Sequence, residues 1–489
     1  MNSPESLDSQ PLEALIIGAG ISGICIGRQL LQAGFKRIAI IEKSNDVSGT
    51  WLENSYPGCG CDVPAMLYSY SFAMKKDWTR KYALQPELLE YFRDCAEKFG
   101  LYPYLRLGQT VTQADWSDAE KLWLVKLQSG ETLKTRVLIS AVGQLNRPSI
   151  PSLPGMDSFQ GPSFHSARWP KDFDPAGKRI AVIGSGASAI QIIPELAKTA
   201  AHTYVIQRSP NYIAPRNDHF YSSAARFLFK TVPGLAQLYR QYLFWSHEYL
   251  IYLYRKGSNW NRGFRSELVR KMRSRLPKAL WRTVIPKYPA GCKRVLLSDN
   301  YLQSLSKENV TLCPEGAQGL TAEGVQLSDQ TVPVDAVVYA TGFESHPFLK
   351  SLQVTGREGA LLSEAWAERP KTYYGIATEA FPNLFMLYGP NTNLGHNTII
   401  AMIESQSGLI TQCLQAMQRK QAQSMEVKSD AIARYDAQLQ ENLSRLVWTE
   451  KCGNWYTDQT GHIVNNWSGT VTSYRRQTKQ LREEDFQFS

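Results

Sequence analysis

Apolar positions in this chain gather into short unbroken runs closed by glycine, the pattern of strands buried on both faces of a parallel sheet. The first, Ala14-Leu15-Ile16-Ile17, runs directly into Gly18-Ala19-Gly20-Ile21-Ser22-Gly23 and a helix-periodic stretch through Leu30 and Leu31. Ile38–Ile41 then supplies a second strand, ending in Glu42, 24 residues beyond Gly18. The same order returns with Ile180–Ile183, Gly184-Ser185-Gly186-Ala187-Ser188-Ala189, a helix, and Thr203–Ile206 ending in Gln207-Arg208, with Arg208 again 24 residues beyond Gly184. Two more strands are predicted at Val137–Gly143 and Asp335–Gly342, both expected in the first unit's domain, which the chain leaves and re-enters. Between about Asp218 and Pro286 the period changes to helical. The predicted class is α/β, with two Rossmann-like dinucleotide-binding domains and a helical insertion in the second.

The glycine spacing has a chemical reading. Gly18 permits the tight turn, Gly20 lets backbone approach a pyrophosphate, and Gly23 lets helix pack on strand. The helix N-terminus offers amide donors, to which Ser22 adds a hydroxyl. Gly184, Ser185, Gly186, Ala187 and Ser188 repeat this, with Ala189 at the third glycine position. Glu42 suits a ribose diol, whereas Arg208 suits a 2′-phosphate that a carboxylate would repel. Two such sites in one chain predict FAD in the first and NADP(H) in the second, and hence a flavoprotein that takes hydride from NADPH.

Composition excludes little beyond disordered and fibrous classes: of 489 residues, 43% are hydrophobic and 20% charged. The net charge of +10 is local. Eleven Lys or Arg face only Glu267 between Arg255 and Lys287, leaving 43 charges of each sign elsewhere, so a nucleic-acid partner is not expected. Seven aromatics precede that run: Tyr239, Tyr242, Phe244, Trp245, Tyr249, Tyr252 and Tyr254. Contact of residues 239–287 with an anionic membrane is one reading; aromatics facing a core and a solvated basic face is the favoured one. The eight cysteines show no zinc or redox spacing and are expected as thiols. No run of about 18 uncharged apolar residues occurs, nor a signal-peptide pattern in MNSPESLDSQPLE, so a cytoplasmic enzyme is expected.

Three further segments carry a family resemblance. Phe159-Gln160-Gly161-Pro162-Ser163-Phe164-His165-Ser166-Ala167-Arg168-Trp169-Pro170 matches every fixed position of FxGxxxHxxxW followed by Pro or Asp, the fingerprint of type I Baeyer–Villiger monooxygenases. Gly49-Thr50-Trp51 with Tyr56-Pro57-Gly58 and Asp62 resembles the family's second signature, with Ser48 in place of its usual Gly or Ala. Tyr288-Pro289-Ala290-Gly291-Cys292-Lys293-Arg294 is similar to its arginine-bearing segment. The resemblance runs from about Leu12 to Arg476.

It implies NADPH- and O₂-dependent oxidation of ketones to esters or lactones through a flavin C4a-peroxy adduct. Arg294 would be the catalytic cation and Asp62 the carboxylate that holds it and lies near both cofactors. Thr50, Trp51, Tyr68 and Val111 would contact FAD, and Lys293 would join Arg208 on the 2′-phosphate. Phe159, Gly161, His165 and Trp169 would link the domains without acid–base work. The loop Leu387–His396 would lie beside the flavin, and the tail Trp448–Arg476 would close over NADP and substrate. The implied organisation is a tail at 1–11, an FAD domain at 12–155 resumed at 334–489 with C-terminal helices and loop, and an NADP domain at 156–333 interrupted at about 218–286. The runner-up is an N- or S-oxygenating flavin monooxygenase. A flavin disulfide reductase rests only on Cys59-x-Cys61, whose spacing is too tight for an ordinary disulfide. The expected partners are a ketone and O₂, with no metal, and the chain is expected as monomer or homodimer.

Overall fold

The computed structural model describes residues 10–344, 348–458 and 460–489; the first nine residues of the expected tail lie outside them. The first sheet is built around β1 (Leu12–Ile17), which pairs in parallel with β2 (Ile38–Ile41) and β6 (Thr132–Ser140). β3 (Leu105–Arg106) extends the β2 edge. On the other side β4 (Val111–Ser117) and β5 (Leu122–Leu127) form an antiparallel meander with β6. Apart from Glu13, β1 and β2 are apolar because both faces are covered: Leu12, Leu15, Ile17, Ala39 and Ile41 pack with Trp116, Trp123 and Val125 of β4 and β5. One face carries α1 (Ile21–Gln32), packed against the 22-residue helix Ile399–Lys420.

The second sheet is wholly parallel. Its order is Val310–Cys313, β9 (His202–Ile206), β8 (Arg179–Ile183), Ala336–Tyr339, then β7 (Ser163–His165). This corrects one expectation: Ala336–Tyr339 belongs to the second sheet. A buried Ala-Val-Val-Tyr run satisfies either parallel sheet equally, and only its register against Ile180–Ile183 decides. The return crossing therefore follows Gly342. There the two crossings run side by side, with Ser149 N donating to Gly342 O (2.9 Å) and Glu344 N to Arg147 O (2.9 Å). The first sheet is completed by Gln353–Thr355 beside β4 and Leu384–Met386 beside β6.

α2 (Thr50–Glu53) and α3 (Gln85–Lys98) follow β2, and α4 (Ala187–Thr199) follows β8. The insertion holds α5 (Ser223–Thr231), α6 (Leu235–Glu248), a short turn of helix at Tyr249–Tyr254, and α7 (Asn259–Arg273). The favoured reading of its aromatics is corrected: Phe244 and Tyr254 are buried, while Tyr242, Trp245, Tyr249 and Tyr252 face solvent. A 3.6-residue period says that these rings share a face, not that anything covers it. The thiol expectation is corrected too. Cys292 and Cys452 form a disulfide across 160 residues, and the other six cysteines are buried thiols. Folding brings these two together, and no spacing rule marks such a pair.

Candidate active site

The site grows from the two glycine turns. Gly18 and Gly184 sit at φ +104° and +121°, where an L side chain is strained, and a Cβ on either would press on Ala141 O (2.7 Å) or Ala340 O (2.3 Å). Gly23 could bear no Cβ either, since Gly18 O would lie 1.9 Å away, whereas above Gly186 the space is open, as a pyrophosphate requires. Ser22 and Ala189 are buried at the helix starts. Ala187 and Ser188 open α4, and Ser185 Oγ donates to Ser209 O (2.9 Å).

Glu42 is buried, and its carboxylate accepts from Ala19 N (2.8 Å) and Ser44 N (2.9 Å), which fixes it at the lip of the first turn. Ser48 stands at φ +89° beside Gly49 at +50°, so the serine adopts the left-handed conformation that glycine usually supplies. Thr50 and Trp51 follow at the start of α2, and Trp51 meets Tyr68 edge-on (5.8 Å between ring centres). Val111 is buried at the start of β4.

At the second turn Lys293 Nζ donates to Ser209 Oγ (2.9 Å), and its pKa is lowered by burial and by the neighbouring charge of Arg208. Two cations held together at the rim of a glycine turn fit a doubly charged phosphate.

Asp62 and Arg294 meet between the two domains. Asp62 Oδ2 accepts from Arg294 Nη2 (2.7 Å) and Nε (3.1 Å). Burial pushes the Asp62 carboxyl up, but the charge and hydrogen bonds of Arg294, together with the charge of Arg216, outweigh it and leave the pKa below the ordinary value. The guanidinium is raised in turn, chiefly by Asp62. Three neutral phenols, Tyr254, Tyr388 and Tyr456, lie close enough to Arg294 to feel its charge. Burial lifts Tyr254 to about 12 despite that charge. Tyr254 packs on Gly291 and donates to Gly395 O (3.0 Å), and Tyr388 donates to Asn393 Oδ1 (2.7 Å).

Several residues here carry no motif. Gln191 of α4 accepts from Tyr56 (3.0 Å) and donates to Gly60 O (2.9 Å), docking the Tyr56-Pro57-Gly58 turn on the second domain. Arg216 donates to Cys61 O (2.7 Å). The tail lies over the loop Leu387–His396 through Asn391 to Ile463 O (2.8 Å) and Asn393 to Asn466 Oδ1 (2.9 Å). The disulfide pins that tail to the segment bearing Lys293 and Arg294. Cys59 and Cys61 are buried thiols, with Cys59 pushed up by burial to about 12.

The fingerprint gathers at the crossings. His165 Nδ1 accepts from Ala167 N (3.1 Å), so the ring proton sits on Nε2, which donates to Gly342 O (2.8 Å). Burial, ahead of its other influences, lowers the pKa of this ring. Trp169 packs edge-on against Phe164 (5.2 Å) and Phe173 (5.6 Å), and Phe159 covers Gly161.

Residues 13–231 match the family model of flavin-binding monooxygenase-like proteins. An FAD-binding monooxygenase of Aspergillus niger is 41% identical over 96% of this chain and 81% of its own length. A Baeyer–Villiger monooxygenase of Pseudomonas aeruginosa is 36% identical over 98% and 92%. The structure of OTEMO in complex with FAD and NADP superposes with a TM-score of 0.88 at 29% identity, over 98% of this chain and 99% of that one. The chain belongs to the Baeyer–Villiger monooxygenase family of flavin-binding monooxygenases. Among the described residues no helix is long and apolar enough to cross a membrane.

Proposed function

We propose that this enzyme inserts one oxygen atom of O₂ beside the carbonyl of a ketone, giving an ester or lactone, with Arg294 as the residue on which the chemistry turns. When bound, FAD reduced by NADPH supplies the activated oxygen. The first glycine turn with Glu42, Thr50, Trp51, Tyr68 and Val111 would hold the flavin nucleotide. The second turn, from Gly184 to Ala189, with Arg208 and Lys293 would hold NADPH. The observation that carries the reading is the Arg294–Asp62 pair between the two turns. A guanidinium stays charged at any working pH and can offset negative charge on the oxygen being transferred. Asp62 positions that cation through two bonds from one oxygen, and the phenols around it remain neutral donors.

His165, with its proton on Nε2 and its pKa lowered, acts on the crossing rather than on substrate. It ties β7 to the return strand, so that movement of the second domain and the fingerprint are coupled. The same topology extends the NADP domain through Gly342.

A ketone panel with a sulfide control, run under ¹⁸O₂ and read by mass spectrometry, tests the reading. Ketone products gaining one labelled oxygen, with the gain lost in Arg294→Ala while NADPH still reduces the flavin, are expected. Undiminished ketone oxygenation by Arg294→Ala would refute the assignment.

A further inference from the structure

Among the described residues twelve large apolar or aromatic side chains are exposed, and ten lie between Phe220 and Trp260. They occupy α5 and the residues flanking it, α6, the turn after it and the start of α7. Leu238 is 69% and Trp260 72% exposed, so these are whole side chains in solvent rather than edges. A protein of this size scatters such residues; a contiguous set marks an interaction surface. The rings are also organised. Phe229 stacks on Tyr239 (5.2 Å) and Tyr239 on Tyr242 (6.3 Å), while Trp245 stacks on Tyr249 (6.2 Å) and Tyr249 on Tyr252 (6.4 Å). The row ends with the Arg255 guanidinium 4.8 Å from the Tyr252 ring.

Arg255 is also the first cation of the segment that carries the whole net charge of the chain. Within that segment an open groove of about 650 Å³ is lined by Arg265, Arg270, Arg273, Arg282 and Lys287 with Trp281. No carboxylate lines it; Glu267 stands beside it and pairs with Arg270 and Lys271. Charge complementarity selects the occupant. A second copy of this chain, docked through the same face, would set one strongly cationic segment against another. Aromatic rings with polar tips beside a dense set of Arg and Lys match the interfacial layer of a bilayer that contains anionic lipid.

We infer that the exposed face of residues 220–287 docks this enzyme on an anionic membrane surface, with the aromatic row in the interfacial layer and the basic groove on lipid phosphates. The docking helix is tied to the C-terminal tail that the family resemblance places over NADP and substrate. Glu248, the last residue of α6, is buried, and its carboxylate accepts from Asn397 Nδ2 (2.8 Å), Thr472 N (2.6 Å) and Val471 N (3.3 Å). A lipophilic ketone drawn from the bilayer would therefore enter beside the helix that braces this tail. That last step rests on the Baeyer–Villiger reading; the docking does not.

The test is sedimentation of FAD-loaded enzyme with vesicles of phosphatidylcholine alone or mixed with phosphatidylglycerol, at physiological ionic strength. Pelleting with the mixed vesicles, and at least tenfold weaker pelleting with phosphatidylcholine alone, is expected. Arg262→Ser/Lys278→Ser/Arg282→Ser should lower the partition coefficient roughly a hundredfold, and Trp245→Ser/Tyr249→Ser/Trp260→Ser at least tenfold. Both triple variants should turn over a short water-soluble ketone at the wild-type rate without vesicles, which shows that they fold. Wild-type enzyme that stays in the supernatant, or pelleting indifferent to the aromatic changes, overturns the inference. So does a wild-type dimer in analytical ultracentrifugation that the same aromatic changes disperse. Loss of ketone turnover in the wild type would sink the Baeyer–Villiger reading and leave the vesicle result standing.

Discussion

Replacing Asp62 by Asn keeps the shape of the side chain and removes the charge that holds Arg294. The pair is joined at 2.7 and 3.1 Å through one oxygen, which places the charge centres about 4 Å apart. At an effective dielectric near 20 such a pair interacts by about 4 kcal/mol. Some 29% of the Arg294 side chain and 26% of Asp62 stay accessible, and screening at that exposure roughly halves the figure, to about 2 kcal/mol. If this energy keeps the guanidinium aimed at the reacting oxygen, kcat for oxygenation falls about 30-fold in Asp62→Asn. Anaerobic reduction of the flavin by NADPH, followed by stopped-flow absorbance, should change by less than about twofold. The cost should disappear once the arginine is gone, so that Arg294→Ala/Asp62→Asn is no slower than Arg294→Ala. Additive losses in that cycle, or full oxygenation by Asp62→Asn, would show that the carboxylate does not act through the arginine.

Arg208→Ala should raise KM for NADPH roughly 10- to 100-fold, the worth of a charge-assisted hydrogen bond, and leave KM for NADH unchanged; equal effects on both coenzymes would remove Arg208 from the 2′-phosphate. A non-reduced peptide map should contain Cys292 joined to Cys452, and Cys452→Ser should lower stability by up to about 5 kcal/mol, as loss of a cross-link closing 160 residues implies; an unchanged melting temperature would contradict this. The His396 ring is buried with neither nitrogen partnered, and burial, followed by the charge of His247, lowers its pKa to about 3. The unfolded chain accepts a proton near pH 6.5 that the folded chain refuses, so this contribution to stability is complete above about 6.5 and declines as pH falls toward 3. It should cost about 2 kcal/mol by pH 5. Urea midpoints at pH 7 and 5 should differ less in His396→Gln, and an identical difference would exclude this ring.

What was legible in the sequence was what is local. Gly18, Glu42, Gly184 and Arg208 each lie within one strand–turn–helix–strand unit, where spacing along the chain determines spacing in space. Asp62 and Arg294 stand 232 residues apart, and no periodicity joins them; only the family resemblance did. Gln191 and Arg216 escaped because each acts through a backbone carbonyl or side chain of the other domain, and such pairings leave no trace in their own segments. The strand Ala336–Tyr339 was placed in the wrong sheet because a run buried on both faces states its environment, not its neighbours. The aromatics of α6 show the converse: their spacing predicts a shared face and favours one turned to the core, but covered and bare faces have the same period.

The interdomain contacts also constrain how the site can move. Tyr56 and Gly60 bind Gln191, Cys61 O binds Arg216, and Asp62 binds Arg294, so one seven-residue segment of the first domain is held at three places on the second. The covalent crossings, paired at Arg147–Ser149 and Gly342–Glu344 and held by His165, form the other attachment. Rotation of the second domain about the crossings must therefore carry residues 56–62 with it or break five hydrogen bonds, two of them within the ion pair. The same segment is also held to its own domain, by Cys61 N donating to Ala83 O (3.0 Å) and Gln85 N to Cys59 O (2.9 Å), so a rotation breaks backbone bonds on one side of residues 56–62 or the interdomain set on the other.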